Sequence, residues 1–67
     1  MLNRKGASKM VTTICYGRKE VWEHREDAMA SFLDGMRYCE GPERDRYTNV
    51  YIKLLDGKEI CSDEREW

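Results

Sequence analysis

This sequence predicts an α+β domain of ββααβ order, a three-stranded antiparallel sheet with two helices packed on one face. Three observations lead there. A β-branched and aromatic run precedes a glycine near residue 17, two apolar stripes at helical spacing meet at Gly41-Pro42, and a short β-type segment follows Gly57.

Residues 11–16, VTTICY, are rich in β-branched and aromatic types and read as the first strand. Gly17-Arg18 suits a type II′ hairpin turn, and KEVW at 19–22 makes the return strand. A turn at that place sets Tyr16 opposite Lys19, Ile14 opposite Val21 and Thr13 opposite Trp22. Ile14, Tyr16 and Val21 then share one face, which is assigned to the core. Val11, Cys15 and Trp22 share the other, which is less polar than a solvated face should be.

From Arg25 the period changes to that of a helix. Met29, Phe32, Leu33 and Met36 form its apolar stripe, flanked by Ala28 and Cys39, and Glu26 and Asp27 suit its first turn. Neither Glu23 nor His24 is a preferred N-cap. Gly35 inside this helix costs about 1 kcal/mol relative to Ala, so a close contact or a kink should require it. Gly41 is expected to close the helix in the left-handed conformation and Pro42 to open the next. Tyr47, Val50, Tyr51 and Leu54 give the second helix an i, i+3, i+4, i+7 stripe, widened by Leu55 and ended by Gly57. Residues 58–62, KEICS, read as the last strand, with Ile60 in the core. Either edge of the hairpin fits that strand.

The whole chain is 67 residues, which allows one small domain. It divides into a flexible basic tail over 1–10, the ββααβ domain over 11–63 and a short charged tail over 64–67. Leu, Ile, Val and Phe make up about a sixth of the residues, so four Tyr, two Trp, four Met and three Cys must complete the core. A formal charge of −1 argues against disorder and against both a nucleic-acid grip and a DNA mimic. No segment approaches the ~20 apolar residues of a membrane span, and no apolar run follows Arg4 and Lys5 as in a secretory signal. A cytoplasmic location is expected, with Cys15, Cys39 and Cys61 as buried thiols.

Constellations that could carry chemistry are sparse. His24 is the one histidine, and nothing local prepares a Cys-His pair, so an enzyme is not expected and no catalytic residue is assigned. Cys15, Cys39, Cys61 and His24 have the ligand types of a zinc site but not the paired spacing, so no metal or other cofactor is assigned. Arg37, Tyr38, Arg44, Arg46, Tyr47, Tyr51 and Lys53 interleave basic and aromatic groups, yet Glu40, Glu43 and Asp45 run through the same segment. Trp22, Tyr38, Ile52 and Trp67 lie outside the core stripes and suggest an aromatic-containing surface for a protein partner. Self-association is a common remedy for a core this small, so that partner includes a second copy, as a homodimer.

The stretches YGRKEVW (16–22), EDAMASFLDGM (26–36), CEGPERDRYTNVY (39–51) and LLDGKEICSD (54–63) resemble small uncharacterised proteins and domains of bacterial phages and integrative or conjugative mobile elements. The most specific part is the C-E-G-x-E-R-x-R-Y-x-N block, whose Glu43, Arg44, Arg46 and Asn49 have no obvious core role. The resemblance implies an accessory protein of mobile DNA and transfers no catalytic residue. It also implies an alternative: an inhibitor of host defence that binds a nuclease effector, nucleic acid or a nucleotide signal through Arg44, Arg46 and Tyr47. The leading expectation is a non-enzymatic protein-binding protein with Trp22, Tyr38, Arg44, Arg46, Ile52 and Trp67 at its contact surface.

Overall fold

A computed structural model describes residues 10–64, so Met1–Lys9 of the basic tail, and Trp67 with the end of the charged tail, lie outside the described residues. The elements follow the expected order: β1 (Val11–Cys15), β2 (Arg18–Trp22), α1 (Arg25–Tyr38), α2 (Pro42–Leu55) and β3 (Ile60–Ser62). No described helix is long and apolar enough to cross a membrane.

The sheet is mixed rather than wholly antiparallel. Its order is β2-β1-β3, with β1 antiparallel to β2 and parallel to β3. The reason is the number of helices. β2 ends beside the start of β1; α1 carries the chain away, and α2 returns it to the end it left. Two passes therefore deliver β3 beside the start of β1, running the same way. Arg25, at the start of α1, marks that return: its Nη1 and Nη2 donate to the carbonyls of Leu54 (2.8 Å) and Gly57 (3.3 Å). A cation there complements the negative end of the α2 dipole.

The hairpin turn sits one residue earlier than expected. Cys15 opposes Arg18, and the two central residues, Tyr16 and Gly17, have φ of 56° and 76°. Positive φ at both is the requirement of a type I′ turn, not the type II′ turn read from Gly17-Arg18. Gly41 also departs from its expected role. With φ 67° and ψ −141° it is the N-cap of α2, and α1 ends before it at Tyr38.

The sheet faces the opposite way from the assignment made above. Its inner face carries Val11, Thr13 and Cys61, all buried, with Cys15 and Trp22 packed against them. Ile14 is only half-buried, and Tyr16, Val21 and Ile60 are exposed. Two effects favour this orientation. Burying Trp22 removes more apolar area from water than burying Val21 does. The polar atoms that come with it are also satisfied, because Trp22 Nε1–H donates to Thr13 Oγ1 at 2.9 Å. Ala28, Phe32, Val50 and Leu54 close the core from the helices, with Met29, Tyr47 and Tyr51 at its margin. Leu33, expected inside, is exposed.

Gly35 has the close contact its position suggested. A Cβ there would lie 2.8–3.0 Å from three ring carbons of Tyr47. That ring is held by Phe32 and Tyr16, with centroids 5.7 and 6.3 Å away. Gly35→Ala would gain about 1 kcal/mol of helix propensity and lose about 1–3 kcal/mol to overpacking. The substitution should therefore lower the thermal midpoint, as measured by circular dichroism; an unchanged or higher midpoint would show that the ring moves aside freely.

Candidate functional site

The first candidate is the outer sheet face. Strand register places Val21, Thr12 and Ile60 side by side across all three strands, with Lys19, Ile14 and Ser62 in the next row. Val21 is 54% exposed and Ile60 63% exposed, because both helices pack on the other face and no described element covers this one. The row thus leaves two aliphatic side chains in water, one on each edge strand, with Thr12 between them.

The second is an open groove of about 210 Å³ between the hairpin and the helices, lined by Thr13, Cys15, Arg18, Glu20, Phe32 and Tyr47 among others. Burial, reinforced by the nearby Asp63 carboxylate, pushes the Cys15 thiol up to about 11. Burial likewise raises the Tyr47 hydroxyl. Both therefore remain protonated at neutral pH. A protonated thiol is a poor nucleophile. Among the described residues no three of His, Cys, Asp and Glu cluster closely enough to hold a metal ion. All three cysteines are free thiols, and Cys61 Sγ donates to the Lys58 carbonyl at 3.5 Å.

Asp63 ties the hairpin, α2 and the end of β3 together. Its Oδ2 accepts the Tyr16 N–H and Arg46 Nη1, both at 2.9 Å. The Arg46 guanidinium also lies 4.8 Å from the Tyr16 ring centroid, in cation–π range. Asn49 Nδ2 donates to the Asp63 carbonyl at 3.0 Å. One turn further along α2, Lys53 is almost wholly buried and its Nζ donates to Ser62 Oγ (3.0 Å) and the Glu64 carbonyl (2.6 Å). Burial alone would raise the Asp63 pKa. The Tyr16 N–H and the Arg46 guanidinium outweigh it and hold the carboxyl below its ordinary value.

The residues singled out from the sequence do not form one patch. Trp22 packs against the core. Tyr38 is 83% exposed at the end of α1, and Ile52 is 41% exposed on α2. Arg44 faces solvent near the start of α2, while Arg46 is joined to Asp63 and Tyr16. Trp67 lies outside the described residues. Sequence reasoning missed the outer-face trio of Ile14, Val21 and Ile60 as a surface, and missed Asp63 and Lys53 as structural groups. The alternation that puts Ile14 and Val21 on one face was visible; which side that face took was decided by Trp22 and Thr13.

Because the Asp63 pKa is depressed in the fold, its contribution is present above the unfolded value and is lost as pH falls through the folded one. Asp63→Asn should lower stability at neutral pH by about 1–2 kcal/mol, the scale of a charge-assisted hydrogen bond. The gap from wild type should narrow below about pH 4 in urea unfolding at several pH values. Alkylation of Cys15, followed by mass spectrometry, should still accelerate above about pH 10, where an ordinary thiol has levelled off.

Compared with protein-family models, curated proteins and solved structures, the chain matches none.

Proposed function

We propose that this chain is a small non-enzymatic protein-binding accessory protein that meets its partner with the outer face of its sheet. The observation behind this reading is the row of Val21, Thr12 and Ile60, aliphatic at both ends and uncovered by any described element. Tyr38 and Ile52 add exposed apolar area on the helices. An origin in phage or other mobile DNA, which the C-E-G-x-E-R block suggests, is part of this proposal. A cytoplasmic setting fits the three free thiols.

The alternative, inhibition of a defence system through Arg44, Arg46 and Tyr47, draws less support. Arg46 is engaged by Asp63, and Tyr47 is packed beneath Gly35 and beside Phe32, so Arg44 is the member of the trio that faces solvent without an ion pair among the described residues.

Affinity capture from a cell lysate tests the reading when wild type is compared with Val21→Lys, Ile60→Lys and Tyr38→Ala. The two sheet substitutions should keep the native circular dichroism spectrum and lose the captured protein. Loss from Tyr38→Ala alone would move the surface to α1, and equal capture by all four proteins would overturn the proposal.

A further inference from the structure

β2 is an open sheet edge, and its free backbone groups can be identified. Thr12 N–H donates to the Glu59 carbonyl at 2.8 Å and Asp63 N–H donates to the Ile14 carbonyl at 2.9 Å, so Thr12 and Ile14 turn their peptide groups toward β3. Alternation then turns Val11, Thr13 and Cys15 toward β2, where they oppose Trp22, Glu20 and Arg18. The N–H and C=O groups of Lys19 and Val21 are left pointing away from the sheet. Every residue from Arg18 to Val21 is exposed, and no described strand lies beyond them. Unpaired edges of this kind are templates for another strand.

We propose that a second copy of this chain pairs on that edge, β2 antiparallel to β2 about a two-fold axis at Val21, to give a continuous six-stranded sheet. This goes beyond the outer-face reading, because it uses the backbone edge of β2 rather than the face of the sheet. The side chains select both the partner and the register. With Val21 opposite Val21, each Lys19 lies opposite Glu23 of the partner subunit, and each Glu20 lies opposite Trp22 of the partner subunit. Among the described residues neither Lys19 nor Glu23 has an ion-pair partner within its own chain. The pairing thus creates an apolar centre flanked by two opposite-charge pairs, and no like charges face each other.

Other registers are worse. Sliding the second strand by two residues sets Glu20 against Glu20, and sliding it by four sets Lys19 against Lys19. Sliding it the other way leaves only residues 21–23 overlapped. A two-fold pairing of one edge with itself is also the closed arrangement, which stops at two copies. It joins the Ile60–Thr12–Val21 row of one protomer to the same row of its partner, doubling the aliphatic ridge.

Light scattering of the full chain after size exclusion, across micromolar to millimolar concentration, should give about twice the 8.0 kDa chain mass. Val21→Pro removes an N–H that β1 does not use, at an edge position where proline is tolerated, and should give a folded monomer. Lys19→Glu should raise the dimer dissociation constant about tenfold by turning two attractive pairs into repulsive ones. Adding Glu23→Lys to it should restore the dimer. A monomeric wild type would overturn the pairing, as would a dimer that both single substitutions leave intact or a double charge swap that fails to restore it. Those failures leave the protein-binding reading to be judged by capture with Ile60→Lys, which is remote from the β2 edge.

Discussion

The carboxylate of Asp63 is the point on which the arrangement of β3, α2 and the hairpin depends. β3 is three residues long and buries one side chain, Cys61, so apolar burial alone holds it weakly. Its hold comes from polar groups aligned along α2, where Arg46, Asn49 and Lys53 reach Asp63, Ser62 and Glu64 at successive turns. With β3 fixed, β1 becomes the central strand and the sheet acquires a mixed topology. A charged anchor is therefore doing what a longer strand with more aliphatic side chains would do in a larger domain.

The scarcity of aliphatic residues also determines which way the sheet faces. A core built from Val11, Ala28, Phe32, Val50, Leu54 and Cys61 has no room to leave an indole in water. Turning Trp22 inward brings Thr13 with it, and the hydrogen bond between them removes the cost of burying a hydroxyl. The same turn expels Val21 and Ile60. The outer apolar face is thus a by-product of how the inner one was filled.

Element types and order were legible because each rests on local signals: the 3.6-residue stripes of the helices, Pro42 at a helix start, and glycines at turns. The Gly35 contact was legible for the same reason, since a glycine inside a helix costs enough to need a cause. Strand direction and sheet facing were not, because both depend on contacts between distant residues. The direction of β3 follows from counting the helical passes, once these are known to lie antiparallel. The facing depended on one indole and one hydroxyl that pattern alone ranks below Ile14 and Val21. Arg46 and Asn49 stood out as polar positions without a core role, and half of that clue was sound. Both reach Asp63 at the end of β3, which no spacing rule reveals. The apolar surplus likewise suggested a surface, although Trp22 belonged to the interior and Val21 to the outside.

The hydrogen bond from Tyr16 to Asp63 spans 47 positions of sequence. Tyr16 stands at φ 56°, a conformation that costs a side-chain-bearing residue roughly 1–2 kcal/mol, and the carboxylate that secures it lies just after the final strand. A hairpin is ordinarily the most local of structures and can form within microseconds. Here its tip is completed only when the last strand docks. During synthesis the hairpin would leave the ribosome with its turn unsecured, and would gain its final geometry only after both helices had followed it out. Completion of the first supersecondary unit is thereby made a late event, coupled to assembly of the whole domain.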